Sequence, residues 1–204
     1  MSNLLVIAAP SGAGKTSLVK ALSQSIDSLC ISVSHTTRAM RPGEVDGQDY
    51  FFIEHPTFDA MIADNTFLEY ATVFGQHYGT SRSWVERQLA NEIDVVLEID
   101  WQGARQIKQL FPSAILVFIL PPSMEALMDR LRNRKQDDAA TIICRMQAAQ
   151  DEMQHFGEFD YLVVNDQFDL ALLDLQHIVR SGRLKTAVQK QKKAALLDNL
   201  LNKQ

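Results

Sequence analysis

Residues 4–17 read Leu4-Leu5-Val6-Ile7-Ala8-Ala9-Pro10-Ser11-Gly12-Ala13-Gly14-Lys15-Thr16-Ser17. The run Leu4–Ala9 is apolar without alternation, the pattern of a strand covered on both faces. A helical pattern follows over Lys15–Ser25. The turn between them has the residue types that hold phosphate. Glycines let successive backbone N–H groups curl around an anion without a Cβ in the way. The N-terminus of the following helix adds partial positive charge. Lys15 can reach the β- and γ-phosphates of a nucleotide, and the Thr16 hydroxyl can ligate Mg²⁺. Pro10, Ser11, Gly12, Ala13, Gly14, Lys15, Thr16 and Ser17 are therefore expected to form an ATP-binding P-loop. The strict motif opens with glycine and this chain has Ala9 there. A plain strand-to-helix turn is the alternative, but it has little use for Gly-x-Gly-Lys-Thr.

Three further apolar runs, Val95–Ile99, Ile115–Leu120 and Tyr161–Val164, read as strands of the same buried kind. Helical patterns at Trp84–Ala90, Ala104–Leu110, Met124–Leu131 and Leu170–Val179 separate them. Alternating strands and helices predict an α/β fold, a three-layer P-loop NTPase sandwich with a parallel central sheet. Two stretches break the rhythm. Residues 34–83 are rich in aromatic residues, Gly, Thr and Arg, with a Pro42-Gly43 turn and a strand-like Tyr50–Ile53. They read as an inserted lobe with its own small sheet. Residues 123–156 are helical and carry Arg130, Arg132, Arg134 and Arg145, a pattern suited to a moving lid. That leaves 1–33, 84–122 and 157–204 as the core of a single unit. From Leu184 onward a helix with an apolar set at Leu196, Leu197, Leu200 and Leu201 is expected to pack on the core. Helping to build a homo-oligomer is the alternative. At the end of the second strand Glu98 and Asp100 flank Ile99. Beside a P-loop, an acid in that place holds Mg²⁺ or its water, and Asp100 is the expected ligand with Thr16.

The 204 residues suffice for one good core with small inserted lobes. A net charge of -5 argues against a nucleic-acid binder held by a general basic field, while leaving room for local cationic pockets. No apolar run approaches the roughly 20 residues that span a bilayer. The N-terminus shows no signal-peptide pattern. Two cysteines, Cys30 and Cys144, form no C-x-x-C pair and read as reduced, packed thiols of a cytoplasmic protein. The five histidines lack ligand spacing, and no Ser-His-Asp signature is present. The lysines at 190–193 read as a solvated helix face.

The nature of the phosphoryl acceptor comes from elsewhere in the chain. Ser34-His35-Thr36-Thr37-Arg38 is followed by Arg41-Pro42-Gly43-Glu44, Asp46-Gly47, Asp49-Tyr50-Phe51-Phe52, Glu69 and Tyr78-Gly79-Thr80-Ser81. Then come Ile99-Asp100-Trp101-Gln102-Gly103, Pro121-Pro122-Ser123 and Val164-Asn165-Asp166. In this order, and over nearly the whole chain, they resemble the guanylate kinase family in its free-standing bacterial form. The resemblance implies transfer of the γ-phosphoryl group of ATP to GMP, and to dGMP, in purine nucleotide metabolism, with Mg²⁺ accompanying ATP. It places Arg38, Arg41, Tyr50 and Tyr78 on the GMP phosphate and Glu69 on guanine N1–H and the exocyclic amine. Ser34 and Thr80 fall at the O6 edge, Asp100 at the base or metal, and Asn165 and Asp166 beside the donor base. Lys15, Arg38 and the lid arginines Arg130, Arg134 and Arg145 become the catalytic cations. Asn133 and Lys135 stand where the family has glycines, which bears on the lid hinge. Glu98 stands where an Asp is common. The rivals are another nucleoside monophosphate kinase, for which Glu69 with Ser34 is the discriminator, and an inactive interaction module, which would have a degraded P-loop. A regulatory GTPase would need an Asn-Lys-x-Asp loop, which is absent.

Overall fold

The computed structural model describes residues 2–133 and 139–201. Strand β1 (Leu4–Ala8) is the centre of a sheet whose other strands are β2 (Leu29–Ile31), β7 (Asp94–Glu98), β8 (Ile115–Leu120) and β9 (Tyr161–Val164). Their order is β2-β7-β1-β8-β9 and every pairing is parallel. All five residues of β1 are buried. Alternate side chains of a strand point to opposite faces, so Leu5 and Ile7 enter one apolar layer and Leu4 and Val6 the other. The first layer packs against α1 (Lys15–Ser25) and α7 (Phe168–Leu184). The second packs against α3 (Arg82–Ala90) and α4 (Trp101–Leu110). This is the predicted three-layer α/β sandwich. The unbroken apolar runs follow from it, because both faces of each inner strand are covered.

Between β2 and α3 the chain forms a second sheet. Its strands are β3 (His35–Thr36), β4 (Phe51–Phe52), β5 (Phe67–Val73) and β6 (Gln76–Ser81), in the order β4-β3-β6-β5. Strands β5 and β6 form an antiparallel hairpin across Phe74-Gly75, both at positive φ (50° and 74°). Two residues in that conformation match the twist of a hairpin. The pairing slips by one residue between Phe67 and Glu69. The extra residue of a bulge re-aims its neighbours, and Phe67, Leu68 and Glu69 are all buried in succession. Between β4 and β5 lies α2 (His55–Ala63), which docks Phe58 against Phe67. After β8 come α5 (Met124–Asn133), α6 (Ala139–Met153) and a 3-10 turn (Gln154–Glu158).

Several boundaries differ from the sequence reading. Helix α2 and strand β2 were not anticipated, since β2 is a three-residue edge strand with little pattern to read. Helix α4 starts at Trp101 rather than Ala104, because the Asp100 carboxylate caps it through the Gly103 N–H at 3.0 Å. The C-terminal expectation needs correction. Helix α8 (Thr186–Lys192) buries Val188, but α9 (Ala194–Leu201) buries nothing, and Leu200 and Leu201 are 71% and 76% exposed. Helices α1 and α7 already cover that side of the sheet, so α9 has no core face to meet. Cys144 is likewise exposed instead of packed, while Cys30 is partly buried; both are free thiols. No helix among the described residues is long and apolar enough to cross a membrane.

Candidate active site

Parallel sheets leave a crevice at the carboxyl ends of their strands, where the chain departs to opposite sides. Here β1 and β7 end together, with Ile7 paired to Glu98. A cleft of about 240 Å³ opens at that edge and runs to the second sheet. Pro10, Ser11, Gly12, Gly14, Lys15 and Thr16 form one wall; Ser34, Arg41, Tyr50, Glu69 and Tyr78 form another; Glu98, Asp100, Arg145 and Glu152 complete it.

The loop wall is shaped by its backbone. Gly14 has φ of 92°, a conformation L side chains rarely adopt, and a Cβ there would lie 2.4 Å from Asn165 Nδ2. It leads into α1 without any side-chain cap, so the first N–H groups of that helix remain available to an anion. Asn165 Nδ2 donates to the Ala13 carbonyl at 2.7 Å. Arg130 donates to the same carbonyl and, at 2.8 Å, to that of Asn165. Asn165 and Arg130 thus brace the loop from behind. Lys15 Nζ donates to the Ile99 carbonyl at 3.2 Å. Thr16 Oγ1 donates to Glu98 Oε1 at 2.5 Å. The acid facing the Thr16 hydroxyl is therefore Glu98, while Asp100 spends one oxygen on Gly103 N–H and the other on Gln102. No group of three or more His, Cys, Asp or Glu side chains suited to a metal exists among the described residues.

The opposite wall is shaped by side chains. Glu69 is 3% exposed, and Thr80 Oγ1 donates to its Oε1 at 2.5 Å. Its other oxygen rests against the N-terminal turn of α4, where a Cβ on Gly103 would approach within 2.4 Å. Burial pushes this carboxyl up to about 7, and Asp100 adds to the shift against the pull of Thr80 and Lys15. Ser34 and Thr80 are buried next to it, Ser34 lining the cleft and Thr80 reaching it only through Glu69. Burial likewise raises the Tyr50 hydroxyl to about 12, with Glu98 and Tyr78 acting in the same direction. Glu44 organises the adjoining loop. It takes both Arg38 nitrogens, at 3.1 and 2.6 Å, and the Arg41 N–H at 2.7 Å. Arg38 lies over the Tyr50 and Phe52 rings, at 5.3 and 5.7 Å from their centroids.

Of the residues selected from the sequence, the cleft gathers Pro10, Ser11, Gly12, Gly14, Lys15, Thr16, Ser34, Arg41, Tyr50, Glu69, Tyr78, Asp100 and Arg145. Ala13, Thr80, Asn165 and Arg130 stand directly behind them. Arg38, Ser17 and the exposed Asp166 do not line the cleft, and Arg134 lies outside the described residues. Glu152 was not selected. Its position seven residues after Arg145, on the same face of α6, was the available signal.

A phosphate-binding loop that shares one cleft with a buried carboxylate and cations defines a P-loop nucleotide kinase. A family model described as guanylate kinase matches residues 1–182. The guanylate kinase of Coxiella burnetii is 56% identical over 203 residues, covering 100% of this chain and 98% of the relative. That of Legionella pneumophila strain Lens is 52% identical over 202 residues, covering 99% and 97%. The crystal structure of guanylate kinase from Anaplasma phagocytophilum superposes with a TM-score of 0.79 at 30% identity, covering 97% of this chain and 94% of the other. The chain belongs to the guanylate kinase family.

Proposed function

We propose that this chain transfers the γ-phosphoryl group of ATP to GMP, and to dGMP, giving ADP and GDP. The observation that carries the reading is Glu69. A buried carboxylate, steadied by Thr80 and set beside Ser34, faces the same cleft as the P-loop. Guanine offers N1–H and an exocyclic amine as adjacent donors, which a carboxylate can accept together; adenine has no such pair.

In this reading, the lobe of residues 34–83 holds the acceptor and residues 123–156 act as a lid over the core. Pro10–Ser17 hold the donor phosphates, with Asn165 and Asp166 toward the donor base. Arg41 and the hydroxyls of Tyr50 and Tyr78 take the GMP phosphate. Arg38 joins them once it leaves Glu44. Arginine's planar fork suits bidentate phosphate contact. Phosphoryl transfer in line asks the protein chiefly to align two anions, exclude water and neutralise the moving group. Lys15 and Arg145 do this from opposite sides, with Arg134 joining from the lid. Arg130 contributes by bracing the loop. The donor set of one hydroxyl and one carboxylate beside a phosphate site fits Mg²⁺, a hard cation content with few protein ligands. Thr16 and Glu98 would hold it, with Asp100 through water, and it would neutralise charge between donor and protein. The two free thiols fit a reducing cytoplasm.

The test is ADP formation from ATP and Mg²⁺ with GMP, AMP, UMP, CMP and dTMP in parallel. Turnover with GMP alone is expected. Preference for another acceptor would retain the kinase and remove Glu69 from base recognition. Inactivity with all five would turn the reading toward an interaction module.

A further inference from the structure

The cleft holds an ionisable side chain to which the proposed transfer assigns no role. Glu152 lies one residue before the end of α6 and two helical turns after Arg145, so both project from one face of that helix. Both line the cleft together with Ser11, Gly12, Gly14 and Lys15. The Ser11 N–H, Lys15 and Asp100 are near enough to act on the charge of the Glu152 carboxylate. An acidic group set against an N–H of a phosphate loop, beside that loop's lysine, occupies the electrostatic place of a phosphate.

The loop gives this contact a reason. Its residues line the cleft, and α1 brings no side-chain cap of its own. The first backbone N–H groups of an uncapped helix are orphan donors that favour an anionic partner. The partner comes from α6, the helix that also carries Arg145. We infer that Glu152 is an internal anion of the phosphate cradle, standing in the cleft with the loop and Lys15 while it is free of nucleotide and displaced by the phosphates of the donor. The inference rests on the reading of the loop as the donor site.

The surroundings restrict how Glu152 can leave. Three residues on, His155 stacks on Trp101 with ring centroids 3.7 Å apart and planes at 16°. Glu158 takes both the Nε and an Nη of Arg105, whose guanidinium lies over the same Trp101 ring at 4.5 Å. The chain just beyond α6 is therefore pinned to α4. Glu152 can move by rotating its side chain or by a tilt of α6 above this fixed foot, and the tilt moves Arg145 with it. The group's surroundings fit a charge held on sufferance: burial pushes its carboxyl up to about 7, Asp100 adds to the shift, and Lys15 and the Ser11 N–H oppose it. The other charged side chains lining the cleft are Arg41, Glu69, Glu98 and Arg145.

The experiment is calorimetric titration of the full chain and of Glu152→Gln, in EDTA, with ADP, inorganic tripolyphosphate and GMP. Removing a like charge from a partly exposed site is expected to tighten ADP and tripolyphosphate binding by roughly 3- to 30-fold. The dissociation constant for GMP should stay as it was. Glu152→Ala should shift both phosphate probes in the same direction, and serves if the Gln variant folds poorly. Unchanged or weaker binding of ADP and tripolyphosphate overturns the inference while the donor site stands. An equal gain for GMP overturns it as well, because the effect is then a general change of cleft charge. If the unaltered chain binds neither ADP nor tripolyphosphate, the donor-site reading itself fails.

Discussion

The two walls of the cleft solve different problems with different materials. The phosphate wall is a single run, residues 9–16, and its groups are mostly backbone N–H donors held open by Gly12 and Gly14 at positive φ. The proposed guanine wall draws Glu69 and Tyr78 from two strands of the second sheet and Ser34, Arg41 and Tyr50 from the segments that flank its other strands, and leans on Gly103 from the core. Backbone donors and a lysine recognise any polyphosphate, so the first wall supplies affinity and charge neutralisation. A buried carboxylate with a fixed hydroxyl partner suits one arrangement of donors, so in the proposed reading the second supplies selectivity. The difference teaches that the chemistry and the choice of substrate can be lost separately.

The largest effect should come from the phosphate wall. Lys15→Ala is expected to lower kcat by about 10³-fold or more, since it removes a cation from the transferred group. Its melting temperature should stay close to that of the unaltered chain, because the Lys15 ammonium is held by a part-buried hydrogen bond to the Ile99 carbonyl and not by core packing. Near-normal turnover would break the comparison at its stronger side. Next comes Glu69→Ala, with kcat/KM for GMP reduced roughly 10²- to 10³-fold, as two charge-assisted hydrogen bonds would predict. The KM for ATP should change little. Equal losses for both substrates would mean that the walls are not separable.

How much of this was legible beforehand follows the same division. The phosphate wall could be read from residues alone, because its parts are adjacent and each residue type has a local reason. The β-strands of the core were legible for a similar reason, their burial on both faces giving unbroken apolar runs. The guanine wall could be named only through a resemblance carried by the order of motifs along the chain. No spacing rule brings Glu69 to Thr80, and none predicts the bulge between Phe67 and Glu69 that lets the carboxylate turn inward. The contact of Glu152 with the loop and the bracing of Ala13 by Asn165 and Arg130 join segments more than 100 residues apart. Such contacts depend on how distant segments pack, which local pattern does not encode. Asp100 shows a mixed case: it was expected as a metal ligand with Thr16, and its bonds to the Gly103 N–H and to Gln102 became visible only in the fold.

Gly103 sharpens the comparison because it belongs to the core yet serves the other wall. A Cβ at this position would come within 2.4 Å of Glu69 Oε2 and 3.0 Å of the Ile99 side chain. Gly103→Ala should therefore push the carboxylate from its place. A loss of about tenfold in kcat/KM for GMP is expected, on the scale of a displaced but surviving hydrogen-bond pair. ATP binding should be spared, although Gly103 is only three residues from Asp100. An unaffected GMP constant would show that Glu69 can shift without cost.

The carboxyl of Glu69 also makes a prediction about pH, in two opposite senses. Its folded value is about 7 against an ordinary 4.5, raised mainly by burial. Guanine's donors need the ionised form. As pH falls below 7, kcat/KM for GMP should drop toward tenfold per unit, and Glu69→Gln should lose that slope. Stability runs the other way. A group with a raised folded pKa holds its proton better in the native state, so its contribution is fully present below the unfolded value and is lost as pH rises through the folded one. Above pH 7 the native protein carries a buried charge that the unfolded chain would leave in water. Glu69→Gln removes that charge, and its amide oxygen can still accept from Thr80. The variant is therefore expected to melt a few degrees higher than the unaltered chain at pH 8, with the gain fading by pH 4.5. Glu152 titrates in the same range in both proteins and cancels from the difference. This is the smallest of the effects and the only gain among them. A variant that is less stable at pH 8 would show that the carboxylate holds the second sheet together instead of straining it for the sake of guanine.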